Sequence, residues 1–203
     1  MRIRALVLML GVVLMLVGGS PAFARMPDDG FVAARKVEAR YFSIQLAPGV
    51  EEMDLVQRLG IGPEHKILAG QSVGSPQFSS HSLADLIDAL FLWSCNVLDM
   101  QLYSYRGNVK VVRDEAALAD IYQKIYGTEH KGEKAFYIYE ANTVYVAAPN
   151  FTKEIVGHEV AHTIISNYFV VQPPGKVQEV LAGYIEYQLR KNPAGPAVPV
   201  TVK

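Results

Sequence analysis

The 203 residues predict an α+β fold, on three observations. Short segments alternate apolar and polar residues at the period of a strand. One long segment carries an apolar stripe at helical spacing. Two further helical segments flank a Pro-Pro-Gly break near the C-terminal end.

Taken in order, residues 25–50 read as an extended lead-in, and alternation in Tyr41-Phe42-Ser43-Ile44-Gln45-Leu46 marks one strand before Pro48-Gly49. Residues 51–59 read as a short helix ended by Gly60. Residues 69–82, rich in Gly, Ser and Gln, read as a loop. Ser82 is suited to an N-cap and opens a long helix to about residue 100, in which Leu83, Leu86, Ile87, Leu90 and Phe91 form a core-facing stripe. A strand follows at 108–112, then a helix from Asp114 to Tyr126 closed by Gly127. Residues 128–134 form a polar loop. Strands at 136–139 and 143–146 read as a hairpin about Glu140-Ala141-Asn142. Helices at 152–169 and 176–191 lie either side of Pro173-Pro174-Gly175, and the tail from Asn192 holds three prolines.

Residues 1–24 are expected to be a leader outside the fold. Arg2 and Arg4 precede an apolar run at 5–17, Gly18-Gly19-Ser20-Pro21 breaks it, and Ala22-Phe23-Ala24 supplies a cleavage site. That run is short against the ~20 residues a bilayer span needs. Cleavage after Ala24 then leaves no stable membrane insertion, and a periplasmic or extracellular, bacterial protein is expected. The organisation expected is leader 1–24, an N-terminal extension 25–80, a main domain 81–191 and a flexible tail 192–203. Cys95, the only cysteine, lies in an apolar stretch and reads as a buried, inert thiol. The 19 Lys+Arg balance 20 Asp+Glu with no basic run, which argues against nucleic acid as a partner.

Chemistry concentrates in His158-Glu159-Val160-Ala161-His162, the pattern H-E-x-x-H on a predicted helix. A helix advances about 100° per residue, so histidines four apart share a face about 40° wide. Both imidazoles can then reach one tetrahedral Zn²⁺, with Glu159 beside the position of a bound water. Catalytic zinc usually has three protein ligands, and no histidine follows His162. Glu179 and Glu186 are the acidic residues of the last helix, seven apart on one face. Glu179 is the better ligand, because the small Ala182 and Gly183 after it let this helix approach the motif helix closely.

These strings, H-E-V-A-H at 158–162 and Q-E-V-L-A-G-Y at 178–184, with the strand at 142–146 ahead of them, resemble the gluzincin branch of the zincin metallopeptidases. The short spacing is closest to the compact minigluzincin type. The likeness covers residues 110–191, and residues 25–105 match nothing known to us. It implies a zincin-like fold: a small twisted mixed sheet, the motif helix beneath a cleft and a glutamate helix behind it. It further implies one Zn²⁺ held by His158, His162 and Glu179, with Glu159 as general base and then proton shuttle. The strand at 142–146 would pair with a peptide or protein substrate through its free edge. One departure stands out. Many gluzincins carry an Asp four residues after the ligand glutamate, and here that residue is Gly183, leaving Glu186 or a backbone carbonyl as outer partner of a zinc histidine.

Two imidazoles and one carboxylate leave a Zn²⁺ site with net positive charge. Such a site lowers the pKa of bound water to about 7 and polarises a scissile carbonyl. Tyr168, Tyr184 and His130 are the candidates to steady the oxyanion. The expected activity is an exported zinc peptidase. The alternative is a catalytically silent zincin-like domain that binds a partner or cell-wall component, with structural or no zinc; retention of Glu159 favours the enzyme. A latent variant of the enzyme, with residues 25–80 folded over the cleft as a pro-segment, is a further alternative. The sequence carries no sign of oligomeric state.

Overall fold

The computed structural model describes residues 28–61, 82–129 and 132–191. Within them five strands form one mixed sheet in the order β1-β2-β3-β5-β4: β1 Arg35–Glu38, β2 Phe42–Leu46, β3 Gly107–Val112, β4 Ala135–Ile138 and β5 Thr143–Ala147. Strands β2, β3 and β5 are parallel, and β1 and β4 close the two edges antiparallel to their neighbours. Five α-helices complete the α+β architecture: α1 Glu52–Leu59, α2 Leu83–Leu98, α3 Glu115–Tyr126, α4 Lys153–Tyr168 and α5 Gly175–Lys191.

Local chemistry sets the helix ends. Ser82 Oγ accepts from the Asp85 amide at 3.2 Å to cap α2, and Asp114 accepts from Ala117 at 2.8 Å to cap α3. Thr152 caps α4 through the Ile155 amide. Gly127 ends α3 at φ +67°, where a residue without Cβ is unstrained.

The sheet buries both faces. Phe42, Ile44, Leu46, Val109, Val111, Val144 and Val146 share one face with α1, α2, α4 and α5. On the other, Val112, Phe136, Ile138, Tyr145 and Ala147 pack with Leu118 and Ile121 of α3. The stripe Leu83, Leu86, Ile87, Leu90 and Phe91 is buried throughout, each side chain contributing about 1.5–3 kcal/mol of transfer free energy. Cys95 is buried beside it, and removal from water pushes its thiol up to about 12, so it has little thiolate to react with.

Three expectations are corrected. The lead-in contains two strands: β1, Arg-Lys-Val-Glu, is a mostly exposed edge and carries no apolar alternation to mark it. The extension at 25–80 is not separate from the main domain where it is described, because β2 pairs with β3 in parallel from Phe42↔Gly107 to Leu46↔Val111. Strand β5 is internal, between β3 and β4, so the free edge on this side belongs to β4. Of the tyrosines, Tyr103, Tyr126 and Tyr139 are exposed, whereas Tyr105 and Tyr145 are buried. The leader 1–24, the loop at 69–81, His65, His81, His130 and the tail 192–203 lie outside the described residues. Among the described residues no helix is long and apolar enough to cross a membrane.

Candidate metal centre

Helix α4 is buried on most of its sides, and Glu159, Thr163 and Ser166 are buried along with its apolar residues. Val156, Val160, Ala161, Ile164 and Ile165 are buried against the sheet, α2 and α5. What remains, His158, Glu159 and His162, meets a cleft closed on the other side by α5. The two helices approach through Gly157 and Ala182. A Cβ on Gly157 would stand 2.3 Å from Leu189 Cδ1, and Ala182 is fully buried. Gly183, expected at this crossing, is not in it: a Cβ there would meet nothing within 4 Å.

The crossing brings three donors together. His158 Nε2 and His162 Nε2 are 3.2 Å apart, and each lies 3.5 Å from an oxygen of Glu179. A tetrahedral ion with ligand bonds of about 2.0–2.1 Å has edges of about 3.3–3.4 Å. The two nitrogens thus stand at about one edge of such a tetrahedron, and Glu179 faces them with one oxygen toward each ring, Oε2 toward His158 and Oε1 toward His162; no other described group of three or more His, Cys, Asp or Glu meets as tightly. The donor set suits a borderline divalent cation, two imidazoles and one carboxylate. Burial first, and the neighbouring His158 second, hold the His162 ring below its ordinary pKa, so its nitrogen keeps a free lone pair near neutral pH.

Glu159 is buried between them. Removal from water, and secondly the charge of Glu179, raise its carboxyl to about 8. Beyond the donors, Glu186 Oε2 lies 3.4 Å from His158 Nδ1 and its other oxygen pairs with Arg190.

The cleft holds about 460 Å³ and is bordered by Ala135, Tyr137 and Tyr139 on the β4 side and by Ser166, Gln172 and Gln178 on the helix side. Asn142 fixes the β4 hairpin over it. In the left-handed conformation at φ +45°, which Asn tolerates, Asn142 Oδ1 accepts from Tyr105 Oη and Tyr137 Oη, both at 3.0 Å. Its Nδ2 donates to the Arg106 carbonyl at 2.8 Å. The turn into α5 is tied by Gln172 Nε2 to Ser166 O at 2.6 Å and Gln178 Nε2 to Pro173 O at 2.9 Å.

Tyr168 and Tyr184, candidates for the oxyanion, are half exposed and do not border the cleft. The tyrosines that do are Tyr137 and Tyr139, which the hairpin alone could have flagged once β4 was known to be the edge. No protein-family model, curated protein or solved structure matches the chain.

Proposed function

We propose that this chain is an exported zinc-dependent peptidase of zincin-like, compact gluzincin type. The observation that carries the reading is the convergence of His158, His162 and Glu179, with the two ring nitrogens 3.2 Å apart and a Glu179 oxygen 3.5 Å from each, beside a buried carboxylate in a cleft with an open strand edge. His158, His162 and Glu179 would hold one Zn²⁺, which supplies a Lewis acid for an acyl oxygen and for the acidity of water.

The chain's own residues supply the rest. Glu159 accepts a proton from the attacking water at its carboxylate and returns it to the leaving amine; its burial raises its proton affinity toward the range where both transfers run near neutral pH. Glu179 raises the Glu159 carboxyl by its charge, and with that charge offset by a bound cation Glu159 would favour its ionised, proton-accepting form. Strand β4 receives the substrate. The Ala147 amide donates to the Lys134 carbonyl, so by the two-residue alternation of the ladder the backbone groups of Ala135 and Tyr137 point to the open side. An extended peptide adding there would run along the cleft wall toward Glu159.

The test compares wild type with Glu159→Gln for zinc content and for turnover of a peptide library. Retained zinc with turnover lowered by about 10²–10⁴-fold is expected, the range for loss of a general base. Equal turnover in both proteins refutes the role of Glu159. Zinc without turnover in the wild type turns the reading to a silent binding domain.

A further inference from the structure

His158 turns Nε2 toward His162 and Glu179, so its other nitrogen, Nδ1, points into the protein. That atom is buried and no hydrogen-bond partner reaches it. A neutral imidazole that offers Nε2 as a lone-pair donor carries its proton on Nδ1, so this buried atom is an N–H that needs an acceptor. The free cost of leaving such a group unpaired is large, which makes the identity of its neighbour informative.

One acceptor is in position. Glu186 Oε2 lies 3.4 Å from Nδ1, short of an aligned bond by a few tenths of an ångström. Its Oε1 is held by Arg190 one turn further along α5. Glu186 is partly covered, with 31% of its side chain exposed, while Arg190 reaches in from solvent at 70%. The turn of α5 that could otherwise offer a side chain carries Gly183, with open space where a Cβ would sit. Spacing explains the reach: Glu179 and Glu186 are seven apart, two turns on one face, so one meets Nε2 and the other Nδ1 of the same ring.

We infer that Glu186, oriented by Arg190, is the positioning residue that accepts the His158 Nδ1 proton and fixes that ring with Nε2 toward the metal centre. This rests on the metal reading of the site above. Its chemistry is the carboxylate–histidine–metal relay, in which the outer carboxylate sets tautomer and ring angle and strengthens the ligand. Here the relay comes from the same helix as the third ligand. Glu179 and Glu186 therefore move together, and any slip of α5 along α4 would loosen both contacts at once.

The experiment measures zinc affinity by chelator competition on the full chain as wild type, Glu186→Gln, Glu186→Ala and Arg190→Ala. It is paired with side-chain imidazole N–H resonances of the zinc-loaded proteins and with thermal unfolding of the metal-free ones. Glu186→Gln keeps the shape of the residue and guards against misfolding. Expected are a ~10–100-fold weaker affinity for both Glu186 variants, a smaller loss for Arg190→Ala, and an upfield shift or faster exchange of the His158 Nδ1–H signal in Glu186→Gln. Metal-free unfolding of Glu186→Gln should match the wild type. Unchanged affinity and an unchanged Nδ1–H signal in a zinc-binding background overturn the role of Glu186 alone. A wild type that binds no zinc overturns the metal centre and this inference with it.

Discussion

Two charged clusters sit on opposite faces of the sheet, and the contrast between them separates a structural contact from a site. On the α3 face, Asp29 accepts from Tyr145 Oη at 2.6 Å and from the Phe31 amide at 2.9 Å, and pairs with Lys110. Lys110 Nζ also lies 5.3 and 5.4 Å from the rings of Phe31 and Tyr145. Burial alone would raise the Asp29 carboxyl; the bonds from Lys110, Tyr145 and Phe31 outweigh it and hold the carboxyl below its ordinary range. That cluster is closed in charge: its carboxylate is matched by the Lys110 ammonium, and Tyr145 and the Phe31 amide donate to it. In the cleft, two imidazole nitrogens and two carboxylates converge, and among the described residues no Lys or Arg borders them. Polar proximity is common to both regions; an excess of lone pairs with no positive partner belongs to one.

Removing single groups tests this contrast. The largest effect is expected for Glu179→Ala. Structural zinc in zinc-finger peptides binds with about 10–16 kcal/mol; on that scale one of three protein ligands carries about 4 kcal/mol, or ~10³-fold in affinity. Chelator competition reads it. A loss no greater than for Asp29→Asn would erase the distinction between the two clusters.

Asp29→Ala should behave in the opposite way. It strands Lys110 in a mostly covered position, with side-chain exposures of 19% and 12% for the pair, and should destabilise by about 3 kcal/mol in urea unfolding. Zinc affinity should stay at the wild-type value, because the sheet stands between Asp29 and the cleft.

Proton linkage offers a third discriminator. In the metal-free protein the Glu159 carboxyl is raised to about 8 from an unfolded value near 4.5. Between these values the folded state binds a proton that the unfolded state lacks, so stability is full below about pH 4.5 and falls as pH rises toward 8. The fall should amount to at most about 5 kcal/mol across that window and disappear in Glu159→Gln. Asp29 has the opposite sign: its stabilisation is present above the unfolded pKa and lost as pH falls into the acid range. A flat metal-free profile from pH 5 to 8 would contradict the burial of Glu159.

The smallest effect concerns the α4–α5 crossing. Gly183→Ala adds a Cβ into open space within a helix and should stabilise by about 0.5–1 kcal/mol in thermal unfolding. Loss of stability there would mean that Gly183 lies in the helix contact after all, as Gly157 does.

Sequence legibility differed between the two clusters for a physical reason. The motif helix, the Ser82 cap, the hairpin about Asn142 and the α5 helix could each be read from residues within one or two turns, because capping, periodicity and turn chemistry are local. The spacing of His158 and His162 is likewise local, set by the pitch of one helix. Asp29, Lys110 and Tyr145 are separated by 81 and 116 residues from the first to the others and share no pattern that names them as partners.

By itself the chain determined the class of fold, most helix and strand positions, the burial of the Leu83–Phe91 stripe and the pair of histidines on one face. Only the tertiary structure decided that Glu179 meets both rings, that Glu186 stands behind His158, and that β4 rather than β5 is the open edge. Strand order and helix crossing are set by which apolar faces pack together across long stretches of chain, and replacing Gly157 by a larger residue would act through Leu189, a neighbour that the local sequence does not name.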